Sequence, residues 1–141
     1  MKNKLLSRAI ILATELHEGQ VDKGGNPYIL HPLRVMTNVK SLEGKIVAVL
    51  HDTIEDTDIT VEDLISKGFT DDVVEAVELL SKPKQEDYIK YIKRIKENPL
   101  AREVKIADLQ DNMDLSRLKE ITEKDLKRVA KYKKAYNILT N

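Results

Sequence analysis

The chain has 141 residues, of which 41% are hydrophobic and 34% are charged, so it is one domain by length and not a disordered segment. Its 24 basic and 24 acidic residues cancel to a formal net charge of +0, which provides no overall field to attract nucleic acid or a membrane. It contains no cysteine, which excludes disulfides, thiolate nucleophiles and thiolate metal sites. A metal would therefore be held by histidine and carboxylate, a donor set that suits manganese, iron or magnesium and permits zinc.

The amino-terminal stretch predicts an amphipathic helix and not a signal peptide, because polar residues interrupt its apolar run. No run approaches the ~18 apolar residues that a membrane span needs. We therefore expect a cytoplasmic protein with no membrane partner.

Apolar residues recur at helical spacing along the chain, and no stretch shows the alternation of a strand. The predicted helices cover residues 4–17, about 32–39, a segment that begins after Ser41 and includes 48–58, then 60–67, from Thr70 to about Leu80, 85–97, 99–118 and 122–139. Ser41, Thr60 and Thr70 precede three of these helices as candidate N-caps. This pattern predicts an all-α fold, with one domain over residues 1–141 and six to eight helices.

Residues 48–58 join an apolar run to one histidine and several acids. In a continuous helix, His51 and Glu55 are i,i+4 neighbours, as are Asp52 and Asp56. Burying carboxylates is unfavourable unless they are neutralised, and the carboxyl end of a helix favours cations. A bound metal would resolve both problems. The alternative is that the helix reaches the surface at His51 and that its acids are solvated.

Two further positions offer metal ligands. Asp108 lies within a predicted helix among apolar neighbours, where an unpaired carboxylate would be unfavourable. His31 lies at a predicted helix start, where a neutral ligating imidazole suits the helix dipole better than a protonated one. The alternatives are a loop histidine at His31 and an ion pair between Asp108 and Lys105. If these residues converge with His51 and Asp52, they form a site of two nitrogen and two oxygen donors.

Three blocks of sequence then resemble a known family. They are residues 24–35 (GGNPYILHPLRV), 49–58 (VLHDTIEDTD) and 104–113 (VKIADLQDNM). The order His … His-Asp … Asp resembles the HD-domain metal-dependent phosphohydrolases, and the blocks resemble the hydrolase domain of the Rel/Spo family over roughly residues 5–118. The resemblance implies hydrolysis of the 3′-diphosphate of ppGpp and pppGpp to GDP or GTP and pyrophosphate, with manganese as the usual cofactor.

The resemblance also implies roles for individual residues. The implied ligands of Mn²⁺, or of another divalent metal, are His31, His51, Asp52 and Asp108. Glu55 and Asp56 match the acidic pair that positions and activates the attacking water. The positions that match the nucleotide pocket are Lys23, Tyr28 and Asn112, and Lys82 and Lys105 are further cations available to a polyphosphate.

One departure from the family concerns the substrate. Members usually carry Arg-Lys, with the arginine stacked on guanine, where this chain has Asp22 and Lys23. An aspartate does not stack on a purine and repels phosphate, so the change bears on the preference for guanosine more than on the chemistry.

Two other functions therefore stay open: hydrolysis of another nucleotide phosphate at the same site, or a turnover-deficient domain that binds nucleotides as a sensor. We expect a small-molecule nucleotide as partner, with no nucleic acid, and no residues here correspond to the synthetase domain of bifunctional members.

Overall fold

The computed structural model describes residues 2–141, apart from the side chain of Lys2, and this part of the chain contains nine helical segments. They are α1 (Lys2–Leu16), α2 (Leu30–Thr37), α3 (Leu42–Leu50), α4 (Thr53–Asp56), α5 (Val61–Ser66), α6 (Asp71–Leu80), α7 (Tyr88–Lys96), α8 (Pro99–Asn112) and α9 (Glu123–Thr140). Because α4 is a single turn that follows α3 after two residues, the two correspond to one broken helix, which leaves eight. The all-α prediction is confirmed, and an isolated bridge between Val21 and Pro27 is the one extended pairing in residues 2–141.

The apolar helix α3 lies at the centre of the molecule. Its residues 46–50 are at most 1% exposed, and the helix packs against α1, α2, α6 and α8. At Gly44 a Cβ atom would lie 2.5 Å from Val39 Cγ1 and 2.6 Å from Ser41 Oγ, so only glycine allows this approach. A helix that is apolar on all sides is expected to be buried, and α3 is.

The helix starts that the sequence predicts are present as side-chain caps. Ser41 Oγ accepts a hydrogen bond from the Gly44 amide at 3.0 Å, and Thr70 caps α6 in the same way. Thr60 and Asp63 form a reciprocal capping box at the start of α5. Each cap satisfies main-chain N–H groups that the first helical turn leaves unpaired.

Two predicted helices extend too far. The helix predicted to include residues 48–58 breaks at His51 and Asp52, where Asp52 has φ −100° and ψ 0°, before α4 resumes for one turn. The helix predicted over 99–118 ends at Asn112, and Asp114 Oδ1 then accepts a hydrogen bond from the Ser116 amide at 2.9 Å. Such an aspartate turn competes with a continuing helix. Of the helices described, none has the length and apolar character to cross a membrane.

Candidate active site

The carboxyl end of α3 places two adjacent candidate ligands in the site. His51 is 2% exposed, and its Nδ1 donates a hydrogen bond to the main-chain oxygen of Ala48 at 2.5 Å. Since a carbonyl can only accept, this bond leaves Nε2 of His51 as the ligating nitrogen. That nitrogen lies 3.1 Å from Asp52 Oδ2.

Two other helices contribute the remaining candidate ligands, His31 from α2 and Asp108 from α8. His31 Nε2 lies 2.9 Å from Asp108 Oδ1 and 3.6 Å from Asp52 Oδ2. His51 Nε2 lies 3.2 Å from Asp108 Oδ1, and the ligand atoms of His31, His51 and Asp108 all lie within 4.8 Å of one another. The structure thus brings together the four side chains that the sequence puts forward as ligands.

This cluster fits a divalent metal in donor type and in spacing. Two imidazole nitrogens with two carboxylate oxygens suit manganese, iron or zinc. Adjacent ligands around a six-coordinate ion with bonds of about 2.1 Å lie about 3 Å apart. The separations of 2.9 to 3.6 Å between nitrogen and oxygen atoms in the cluster are of this size.

Opposite charges compensate for the burial of these groups. Burial alone lowers the pKa of His31, but hydrogen bonds to Asp108 and Asp111 outweigh it and raise the pKa to about 9. Burial likewise opposes the ionised form of Asp108, but the charges of Lys105 and His51 hold its pKa well below the ordinary value. Ionised carboxylates therefore surround imidazoles that bind protons strongly, and a divalent cation would replace those protons.

Further side chains hold the two candidate carboxylate ligands in place. The Tyr28 hydroxyl donates a short hydrogen bond to Asp52 Oδ2. Burial, and then the charge of Asp52, raise the pKa of Tyr28 far above its usual range, so that the phenol stays a donor. Asp108 accepts from Lys105 Nζ at 2.9 Å and from Asn112 Nδ2 at 3.0 Å. The pair of Asp108 and Lys105 is present, and it coexists with the histidine contacts.

The acidic pair Glu55 and Asp56 lies in the single-turn helix α4 and lines the same cavity as the cluster. Glu55 Oε1 accepts a hydrogen bond from the Lys82 amide at 2.7 Å, which ties α4 to the segment between α6 and α7. Asp56 is exposed, and its carboxylate has no hydrogen bond or ion pair with the residues described. Desolvation by the surrounding groups, and then the charges of Asp52 and Glu55, raise the pKa of Asp56. The Glu55 carboxylate is therefore engaged by a main-chain amide, whereas the Asp56 carboxylate is available to a substrate or to water.

A cavity of about 670 Å³ opens beside the cluster. Its lining includes each residue that the sequence analysis assigns to the nucleotide: Lys23, Tyr28, Lys82, Lys105 and Asn112. Lys105 is bound to Asp108, and Lys82 Nζ donates to the Pro83 oxygen at 3.1 Å, whereas Lys23 is exposed. Cationic side chains thus lie around an acidic, histidine-containing floor, and such side chains can bind the phosphates of a ligand.

Helix α9 also contributes to this cavity, which was not predicted from the sequence. Arg128, Lys131 and Tyr132 line it, and Arg117 approaches from the segment before α9. Lys131 Nζ also lies 4.1 Å from the ring centroid of Tyr88, which is a cation–π contact. The spacing i, i+3, i+4 of the three α9 residues was the available signal, since it places them on one ridge.

Asp22 lies in the loop before α2, at the departure from the family. Its Oδ1 accepts hydrogen bonds from the amides of Gly24 and Asn26, both at 2.9 Å. The carboxylate is therefore used by its own loop, although the residue borders the cavity.

Comparison with known proteins agrees with this arrangement. A family model described as the HD domain matches residues 9–121. A guanosine-3′,5′-bis(diphosphate) 3′-pyrophosphohydrolase from Aquifex aeolicus is 38% identical over 120 residues, which is 77% of this chain and 17% of that protein. The bifunctional (p)ppGpp synthase/hydrolase SpoT of Escherichia coli is 40% identical over 83 residues, which is 56% of this chain and 12% of that protein. The chain therefore spans less than a fifth of the length of these relatives.

A solved structure also has a fold similar to that of this chain. It belongs to a metazoan ortholog of SpoT that is described as hydrolysing ppGpp. It matches with a TM-score of 0.74 and 25% identity, over 94% of this chain and 83% of the other. The family match covers most of the helices and all the residues of the cluster. The chain therefore belongs to the HD-domain family.

Proposed function

We propose that this chain is a manganese-dependent phosphohydrolase that removes the 3′-diphosphate of guanosine 3′,5′-bis(diphosphate). The observation that carries the proposal is the convergence of His31, His51, Asp52 and Asp108 on the floor of a cavity with cationic walls. The relatives named for this activity support it. The donor set permits manganese, and the resemblance to the Rel/Spo hydrolases favours it over other divalent metals.

The roles we assign follow from the contacts of each group. His31, His51, Asp52 and Asp108 would hold a divalent metal, which would supply positive charge to polarise the diphosphate. Asp56 accepts the proton of the attacking water, because its carboxylate is free of the hydrogen bonds that engage Glu55. Glu55 then serves to hold α4 against the segment that carries Lys82.

The remaining residues bind and orient the substrate. Lys23 and the α9 cations Arg128 and Lys131 contact the phosphates, which need charge-assisted donors. In the reaction, the oxygen of water bonds to the phosphorus attached to the ribose 3′-oxygen. The bond from that phosphorus to the 3′-oxygen breaks, the 3′-oxygen takes a proton, and pyrophosphate leaves with the new oxygen.

The test is a product assay with purified protein, Mn²⁺ and ppGpp, in which GDP and pyrophosphate are separated by anion exchange. We expect turnover by the wild type and a loss of about 10²- to 10⁴-fold for the Glu55→Gln, Asp56→Asn double variant, with metal still bound. Glu75→Gln, an exposed acid on α6, is the matched control and should keep wild-type turnover. A double variant that loses its metal would show that these acids are ligands.

A second candidate function is hydrolysis of another nucleotide phosphate at the same site. It is favoured by Asp22, which stands where the family has its base-stacking arginine and which is bound to its own loop. The same assay on a panel of nucleotides separates the two. Release of phosphate or pyrophosphate from a different nucleotide, with none from ppGpp, would overturn the substrate assignment. Binding of metal and nucleotide without any product would instead identify a sensor.

A further inference from the structure

Asp111 is a buried carboxylate that the proposed reaction leaves without a role. It lies one turn beyond Asp108 on α8, and its side chain is 7% exposed. Its Oδ2 is 2.6 Å from His31 Nδ1, which is the nitrogen that faces away from the cluster. An ionised carboxylate can only accept, so His31 Nδ1 must carry the proton of this hydrogen bond.

The Arg34 guanidinium holds Asp111 in this position. Nε of Arg34 donates to Asp111 Oδ1 at 2.7 Å, and Nη2 donates to Oδ2 at 3.0 Å, which makes a two-point contact with a fixed plane. Arg34 lies on α2 one turn after His31, so the same helix carries the ligand and the group that fixes the partner of that ligand. Arg117 Nη2 also lies 3.4 Å from Asp111 Oδ1, so donors from His31, Arg34 and Arg117 engage both oxygens of Asp111.

The two candidate histidine ligands are therefore oriented by different means. For His51 the acceptor is the main-chain oxygen of Ala48, which no substitution removes. For His31 the acceptor is a side chain on another helix. In both cases Nδ1 is occupied and Nε2 faces the carboxylates, at 2.9 Å from Asp108 for His31 and at 3.2 Å for His51.

We propose that Asp111 and Arg34 form a positioning pair, which fixes His31 with its proton on Nδ1 so that Nε2 binds the metal. The inference rests on the metal site of the proposed function, and it concerns binding rather than the reaction. We assign neither residue a catalytic role, because Asp111 contacts His31 at Nδ1, the nitrogen that faces away from the cluster, and Arg34 contacts Asp111. Outer partners of this kind typically account for about 10- to 100-fold in metal affinity.

Metal affinity is the first test, measured as free Mn²⁺ by electron paramagnetic resonance during titration of metal-stripped protein. We expect Asp111→Ala to raise the Kd for Mn²⁺ by about 10- to 100-fold. Asp111→Asn keeps an acceptor oxygen and should fall between that variant and the wild type. Glu86→Gln is the matched control, because Glu86 forms the same two-point contact with Arg94 but touches no histidine. Its Kd should be unchanged.

The second test needs no variant and so does not depend on whether one folds. In the Zn²⁺-loaded wild-type protein, ¹⁵N spectra of the histidine rings should show a proton on Nδ1 of His31 and metal on Nε2. Metal on Nδ1 would overturn the proposal, as would folded Asp111 variants with a wild-type Kd. Tight metal binding that Asp111→Ala weakens, in a protein that releases no product from ppGpp, would overturn the proposed function and leave this inference standing.

Discussion

The carboxylates of the site show how the same chemical group takes different roles from its contacts. Asp108 is buried and surrounded by donors from Lys105, Asn112 and both cluster histidines, so it stays ionised and fixed. Asp111 is held by Arg34 and faces the outer side of His31. Asp56 has no such partners among the described side chains. The side chain is the same at these three positions, and the surrounding donors distinguish the proposed ligand, the proposed positioning residue and the proposed base.

The hydrogen bonds of Asp22 predict how its substitution affects binding of the nucleotide. Asp22→Ala removes the acceptor for the Gly24 and Asn26 amides, which loosens the loop that carries Lys23. A hydrogen bond contributes about 0.5–1.5 kcal/mol, so we expect the KM for the nucleotide to rise by about 2- to 13-fold for each bond lost, with little change in kcat. Steady-state kinetics on the accepted nucleotide would measure this.

The control is Asp22→Asn, which keeps the acceptor oxygen and should keep a KM close to the wild type. Asp22→Arg restores the family residue but also loses the two loop hydrogen bonds, so its stacking gain and its loop loss oppose each other. If Asp22→Ala and Asp22→Asn had the same KM, the loop would not depend on this carboxylate.

At the level of elements, α3 determines where the site lies. It is packed on several sides, and its carboxyl end delivers His51 and Asp52 to the cavity. The helices α2 and α8, which carry His31 and Asp108, both pack against it. Because α3 contacts the helices that carry the other candidate ligands, we expect a shift of α3 to change the distances of His51 and Asp52 from His31 and Asp108.

Substitution of Gly44 tests how tightly the packing of α3 is fixed. Alanine is the better helix former by about 0.5–1 kcal/mol, yet its Cβ would lie 2.5 Å from Val39 Cγ1 and 2.6 Å from the capping Ser41 Oγ. Such overpacking typically destabilises by about 1–3 kcal/mol, so we expect Gly44→Ala to lower the free energy of unfolding in urea denaturation.

The matched control is Glu75→Ala, at an exposed position in α6, which should change the free energy of unfolding by no more than about 0.5 kcal/mol. A Gly44→Ala protein as stable as the wild type would show that α3 shifts easily, and it would contradict the rigid placement of the ligands.

For the whole molecule, metal binding, protonation and stability are linked. Hydrogen bonds outweigh the effect of burial and raise the pKa of His31 from 6.5 to about 9. The protonated imidazole therefore stabilises the metal-stripped protein fully below pH 6.5, and this contribution is lost as the pH rises through about 9. Mn²⁺ must displace that proton over the same range.

We accordingly expect the affinity for Mn²⁺ to increase with pH up to about 9, by about tenfold per unit for each proton displaced. The rise in Tm on adding Mn²⁺ should grow in parallel, since the metal binds the folded state. Calorimetric titration in buffers of different ionisation enthalpy measures the protons released. His17→Gln, which removes the histidine outside the cluster, should keep the same slope. If the affinity for Mn²⁺ did not change with pH, it would contradict the prediction that Mn²⁺ displaces protons from the cluster.

The helical class, the caps and the candidate ligands could be predicted from the sequence, because these features depend on local spacing and on residue chemistry. The all-round apolar run of α3 marked a buried helix, and the order of His31, His51, Asp52 and Asp108 marked the resemblance. Tertiary structure alone decided which side chains meet. The helix break at His51 and the approach of α9, with Arg128 and Lys131, to the cavity were seen only in the folded structure. The hydrogen bond from His31 to Asp111 joins residues that are 80 positions apart in the sequence. Helical periodicity describes neighbours three or four residues apart on one helix. It therefore cannot predict contacts between helices, which form only when the helices pack around α3.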